Sequence, residues 1–257
     1  MNLNNEMDVS IPRIIHQTWK NNNIPDKWKL SPIMWKKHHP DWTYILWTDK
    51  MIRDYIMLGY PHFLKLFDSY KYPIQRVDMI RYFILKDFGG IYSDLDLYPV
   101  ENLNKYFKSN NDVYLVFSGN TYGSVTNSFM ASKKNAPLWD KVLDNLHNKL
   151  PWFCIIKHAK IMFSTGPEFL TTVVKKYSDI IGLLPSNRFM AYNSNEDLTI
   201  IKPQVVLIPL EGKSWNSLDS HILNKMNKYK YRIIIILITS YLLLIIYFIK
   251  NKIMRRY

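Results

Sequence analysis

Two aspartates one residue apart, Asp94 and Asp96, follow a double glycine in the stretch Gly89-Gly90-Ile91-Tyr92-Ser93-Asp94-Leu95-Asp96. On an extended backbone, residues two apart point to the same side, so this pair can grip one divalent cation from a single edge. Carboxylate oxygens suit a hard ion such as Mg²⁺ or Mn²⁺, and such an ion holds a diphosphate. Taken alone, Asp-x-Asp more often marks a solvated turn, because Asp favours turns. The context argues for more. Upstream, Ile74, Val77, Ile80 or Arg81, Ile84, Leu85 and Phe88 recur at helical spacing, and Gly89 is placed to end that helix in the left-handed region. The helix also carries Asp78 and Arg81, three apart and therefore on one face. In isolation that pair reads as an exposed salt bridge of little energetic weight.

The elements that must position these groups alternate. Residues 11–19 read as a first buried strand, Ser31-Pro32 as the N-cap and first turn of a helix to about Lys37, and residues 43–48 as a second strand whose Asp49 caps the next helix. Residues 113–118, 128–131 and 205–208 are further strands, and 137–150 and 167–177 further helices. This order predicts an α/β layer structure with parallel strands, and ligands gather at the carboxyl ends of such strands. Trp19, Asp49, Asp94 and Asp96 fall there. His16, inside a buried-looking strand, reads as a hydrogen-bonded core residue, and His38 and His39, beside Pro40, as exposed.

Composition narrows the class. At 257 residues and 47% hydrophobic, the chain closes one sizeable core with room for a small appendage. The formal charge of +13 invites a nucleic-acid reading, but eight basic residues and no acidic ones lie beyond Asp219, which leaves 26 basic against 21 acidic in the body. The body has no basic face of the kind nucleic acid needs. The tail holds an uncharged run at 233–249, at the short end of what a bilayer core requires, with tyrosines and basic residues on its flanks. The expected division is a catalytic domain at 1–222, a basic neck at 223–232, a single transmembrane helix at 233–249 and a basic tail at 250–257. Basic residues are balanced across the span, so its orientation is undetermined. A body left in the cytosol is favoured, because residues 1–12 hold no apolar signal and the 22 asparagines include no Asn-x-Ser/Thr acceptor. Cys154 is the single cysteine, so no internal disulfide forms.

The ordered motifs Ile-Pro-Arg-Ile-Ile-His-Gln-Thr-Trp, Leu-Trp-Thr-Asp and Asp-x-x-Arg-x-x-x-Leu-x-x-x-Gly-Gly-Ile-Tyr-x-Asp-x-Asp resemble glycosyltransferase family 32, the DXD-motif sugar transferases. That group includes initiating α-1,6-mannosyltransferases and inositol-phosphoceramide mannosyltransferases. The likeness runs from about residue 11 to 215 and continues in Asn127-Ser128-Phe129-Met130-Ala131-Ser132, Thr165-Gly166-Pro167 and Ser214-Trp215. It implies a GT-A fold, a Rossmann-like nucleotide-sugar-binding sandwich, and a metal-dependent retaining transfer of a hexose, mannose being favoured, to a glycan or glycolipid acceptor.

By resemblance, Asp94 and Asp96 hold Mn²⁺ or Mg²⁺, Asp78 and Arg81 contact the donor sugar and phosphate, Trp19 stacks on the base, and Tyr92, Asn127 and Trp215 complete the donor site. Many relatives place a histidine before Ser-Trp; here the run is Pro209-Leu210-Glu211-Gly212-Lys213-Ser214-Trp215. This resembles the related bacterial glucosylating toxins and nominates Glu211 and Ser214 as further metal ligands. Two other readings stay open: a catalytically silent membrane-tethered adaptor, and an aspartate-based phosphatase, which the following Leu97-Tyr98-Pro99 disfavours.

Overall fold

The computed structural model describes residues 11–107, 111–117, 124–177, 181–189, 204–210 and 239–240. The chain divides into two compact units, residues 1–155 with 159–213, and residues 156–158 with 214–257. In the first unit a six-stranded sheet has the order β2-β1-β3-β6-β5-β7, formed by β1 (Ile14–Trp19), β2 (Thr43–Thr48), β3 (Gly90–Ser93), β5 (Val113–Phe117), β6 (Val125–Ser132) and β7 (Ile181–Leu184). A separate two-stranded sheet pairs β4 (Leu97–Pro99) with β8 (Leu207–Pro209).

The sheet is mixed, where parallel strands were expected. β1 runs parallel to β2 and β3, and β5 parallel to β7, but β6 is antiparallel to both β3 and β5. The reason lies in the connection. Only residues 118–124 separate β5 from β6, and a parallel crossover needs a dozen residues or more, so the two close as antiparallel neighbours.

Both faces of the sheet are covered. On one face Tyr92, Leu115 and Met130 pack with α2 (Asp49–Gly59), α3 (Pro61–Ser69), α4 (Pro73–Phe88), α5 (Pro137–Asn145) and α7 (Pro167–Val174). On the other, Ile15, Ile91 and Phe129 pack with Trp35 of α1 (Leu30–His38) and Phe189 of α8 (Ser186–Phe189). A further helix, α6, spans Lys157–Ser164.

α4 is buried around its whole circumference from Asp78 to Leu85, which is why the expected one-sided stripe accounts for only part of it. Pro73 opens it and the Tyr72 N–H donates to Gln75 Oε1 at 3.2 Å. Gly89 ends it with φ 64° and ψ −154°, a positive φ as expected but outside the left-handed helical well, in a region open essentially to glycine. Gly90 follows at φ 87°, and a Cβ there would lie 2.4 Å from the Ile14 carbonyl oxygen. This close approach lets β3 seat directly against β1.

Local signals differ in three places. Ser31 lies inside α1 rather than capping it, because its hydroxyl bonds elsewhere. α2 is capped by Thr48, whose Oγ1 accepts from the Met51 N–H at 3.3 Å, with Asp49 its first residue. His39 is buried, its Nε2 accepting from the Leu103 N–H at 3.0 Å. His16 is a core residue as expected. Its Nδ1 accepts from Trp47 Nε1 at 3.1 Å, so its Nε2–H donates to the Gly89 carbonyl at 3.0 Å, and burial lowers its pKa to about 4. Among the described residues no helix is long and apolar enough to cross a membrane. The span at 233–249 lies outside the described residues apart from 239 and 240.

Candidate active site

Because β1 and β3 are parallel neighbours, Trp19 and Asp94 emerge at the same edge of the sheet, where their carboxyl ends lie. β3 stops at Ser93, so Asp94 and Asp96 stand on a turn rather than on the extended strand the spacing suggested. The Leu97 N–H closes it onto the Asp94 carbonyl at 3.1 Å. The main chain of this turn is held from three sides. The Asp94 N–H donates to the Ser128 carbonyl of β6 at 2.7 Å, and Gln17 Nε2 donates to the Asp94 carbonyl at 3.1 Å. Ser31 accepts from Gln17 Nε2 at 2.9 Å and donates to the Leu97 carbonyl at 2.5 Å. At the far side the Leu210 N–H donates to the Asp96 carbonyl at 2.6 Å, continuing the β4–β8 pairing.

Behind the turn sits a buried charge cluster. Arg81 Nη2 lies 2.9 Å from Asp78 Oδ1 and 3.4 Å from Asp94 Oδ1. The Asp78 and Arg81 side chains are 5% and 2% exposed, so the pair is not the surface salt bridge that the sequence alone also allowed. Asn127 brackets it, accepting from Arg81 Nη1 on its carbonyl at 2.6 Å and donating from Nδ2 to Asp78 at 3.1 Å. Tyr92 is fully buried. Its hydroxyl donates to Asp94 Oδ1 at 3.0 Å, its ring lies 4.6 Å under the Arg81 guanidinium, and Thr18 Oγ1 is 3.0 Å from its oxygen.

These contacts fix the protonation pattern. Burial pushes the Asp78 carboxyl up to about 7 against the pull of Arg81, and burial likewise raises Asp94 against Arg81 and the Tyr92 hydroxyl. Burial opposes the Arg81 charge too, but Asp94, Tyr92 and Asp78 outweigh it and hold the guanidinium firmly protonated.

Asp94, one-third exposed, is the member of the cluster that reaches solvent. Carboxylate oxygens on a rigid half-exposed turn fit a hard divalent ion, yet among the described residues no third His, Cys, Asp or Glu completes a cage. The other nominated ligands, Glu211 and Ser214, and the nominated Trp215, lie outside the described residues.

Trp19, half-exposed, stands edge-to-face on Trp28 at 5.0 Å and donates to the Asn23 carbonyl at 3.1 Å. With Lys20, Ile24 and Pro25 it walls an open recess of about 430 Å³. Asp49 is exposed at the head of α2. Ser31, read in the sequence as an N-cap, holds the acidic turn instead, and Gln17 and Thr18 hold it and its neighbours without having been singled out. The only signal for them was two polar residues in a strand otherwise reading as buried.

The fold is a layered α/β sheet with an acidic turn at its carboxyl edge, and comparison with known proteins gives the family. A family described as the glycosyltransferase sugar-binding region containing the DXD motif matches residues 25–114. Inositol phosphoceramide mannosyltransferase 2 of Schizosaccharomyces pombe is 31% identical over 96% of this chain and 70% of its own. A mannosyl phosphorylinositol ceramide synthase of Saccharomyces cerevisiae is 44% identical over 65% of this chain. The chain thus belongs to the DXD-motif glycosyltransferase family. It spans 43% of the length of that yeast synthase. Among solved structures, the PaToxG glycosyltransferase is similar with a TM-score of 0.47, 19% identity, 65% of this chain and 69% of that one.

Proposed function

We propose that this chain transfers a hexosyl group, mannose being favoured, from a nucleotide sugar to a hydroxyl of a glycan or glycolipid acceptor, with retention, on a GT-A type scaffold. The observation that carries this reading is the arrangement of Arg81 between buried Asp78 and one-third-exposed Asp94, which stands on a turn whose backbone is fixed on three sides. Family membership and the mannosyltransferase names of the relatives support it.

In this reading Asp94 and Asp96 hold Mn²⁺ or Mg²⁺, and Glu211 and Ser214 add oxygens; the bond from Leu210, the residue before Glu211, to the Asp96 carbonyl supports the nomination. The ion neutralises the donor diphosphate when bound. The protein's own groups do the rest. Trp19 stacks on the base, Asn127 orients Asp78 and Arg81, and Trp215 contacts the donor. As the bond to the nucleotide breaks, negative charge grows on the departing diphosphate, and the preorganised Arg81 cation favours that change without reorganising. Tyr92 and Arg81 hold the Asp94 carboxylate in one orientation, which spares the site an ordering cost during the reaction. Attack comes from the face of departure, and no protein nucleophile is assigned. An anchor at 233–249 is part of this proposal, with the body on the cytosolic side favoured.

A screen of UDP- and GDP-sugars for Mn²⁺-dependent donor hydrolysis and transfer tests it. Asp94→Asn and Asp96→Asn are each expected to lower the rate by about 10²–10³, the usual scale for losing one charge-stabilising group, while leaving the far-ultraviolet circular dichroism unchanged. Unimpaired rates in both variants would sink the assignment.

A further inference from the structure

Between α5 and α6 the chain presents an apolar loop to solvent. Leu150 is 38% exposed, Trp152 88%, Phe153 48% and Ile155 73%. Other exposed apolar residues, such as Ile33 at 59% and Leu58 at 78%, stand on separate elements, and single exposures of that kind are normal. Four within six residues are not. Nor is the loop loose, for its inner side is pinned. Cys154 is buried with its N–H on the Pro151 carbonyl at 3.0 Å, the Ile155 N–H donates to the Phe153 carbonyl at 2.8 Å, and Phe153 stands edge-to-face on Phe163 of α6 at 5.4 Å. Trp152 packs edge-to-face on Phe153 at 6.1 Å, so the outward rings form one unit.

In the sequence flanking this unit, charge has a single sign. From Asp144 to Glu168 there is no acidic residue between, while Lys149, Lys157 and Lys160 fall in the same stretch. Lys149 is exposed directly beside Leu150. Tryptophan, phenylalanine and isoleucine at the tip with lysines at the base is the pattern that seats in a bilayer interface. The rings enter the headgroup and acyl boundary, and the ammonium groups remain among anionic phosphates.

We propose that residues 150–155 are a membrane-docking loop that inserts Trp152 and Ile155 into the interface of a bilayer carrying anionic lipid. A protein partner would call for charges of both signs around these rings, and the stretch between Asp144 and Glu168 supplies only positive ones. The proposal stands on the loop itself and is independent of the transferase reading, since a chain without transfer activity would still seat there.

The test uses the full chain reconstituted in phosphatidylcholine vesicles with and without phosphatidylserine. In a Cys154→Ser background, Trp152→Cys carries an environment-sensitive fluorophore, and Leu58→Cys labelled alike is the comparison. If Cys154→Ser proves unstable by circular dichroism, Cys154 is kept and its buried thiol serves as the unlabelled reference. The expected result is a blue shift at position 152, quenching by lipids doxyl-labelled near the headgroup, and at least a tenfold loss of the quenched fraction on adding Lys149→Glu and Lys160→Glu. Position 58 should stay water-like. Water-like emission at 152 overturns the proposal. So does a blue shift without lipid quenching, and so does one that grows with protein concentration, which would indicate a second copy instead.

Discussion

Arg81 sends one nitrogen toward two carboxylates, Asp78 at 2.9 Å and Asp94 at 3.4 Å, from a position almost without solvent. Removing it leaves Asp78 buried without its cation, and breaking such a pair costs about 3–5 kcal/mol. Arg81→Ala is therefore expected to lower the unfolding free energy by about that much in urea titrations. Arg81→Lys retains a cation but not the planar fork and should lose less stability than transfer activity. The histidines give a second prediction. His16 and His39 are each lowered from 6.5 to about 4 by burial, so their contribution is complete above pH 6.5 and is lost as pH falls toward 4. Asp78, raised from 3.8 to about 7, acts in the opposite sense, its contribution present below 3.8 and lost as pH rises to 7. Between pH 4 and 6.5, His16→Gln should flatten the rise of stability with pH by up to about 1.4 kcal/mol per unit, and Asp78→Asn should steepen it. A slope unchanged in His16→Gln would contradict a neutral buried imidazole.

The junction between α4 and β3 depends on two glycines for different reasons. At Gly89 a Cβ would meet the Lys134 nitrogen at 2.6 Å and at Gly90 the Ile14 carbonyl at 2.4 Å, both at positive φ. Gly90→Ala is expected to destabilise by well over about 1 kcal/mol and to separate β3 from β1. Gly59, at the end of α2 with open space around it, makes the contrast. Gly59→Ala should stabilise by about 0.5–1 kcal/mol in the same melts. Ser31 tests the turn itself. Ser31→Ala removes one bond to Gln17 and one to Leu97, each contributing about 1 kcal/mol, and should slow donor turnover while the rest of the core melts together.

Seen over the whole chain, the sequence made some features readable and hid others. Residues 43–48 as a strand, the long helix before Gly89 and the buried His16 were readable because periodicity and glycine chemistry act locally. The direction of β6, the turn at Asp94 and the embedding of α4 were not, because each is decided by partners remote in sequence: Ser128 for the Asp94 N–H, Gln17 for its carbonyl, Ser31 for the Leu97 carbonyl, and helices on several sides for α4. The buried Asp78–Arg81 cluster was half legible. The spacing of Asp78 and Arg81 gave a shared face, but its burial and its bracket by Asn127 came only with the fold. One pairing carries a consequence for how the protein is made. β4 finds its strand partner, among the described residues, only in β8, which begins about 110 residues later. At a translation rate of about 5–20 residues per second, the acidic turn waits roughly 5–20 s on the ribosome with one edge uncovered. Nascent chains arrested before residue 207 should therefore be cleaved by protease at residues 94–99, and chains released after residue 210 should resist.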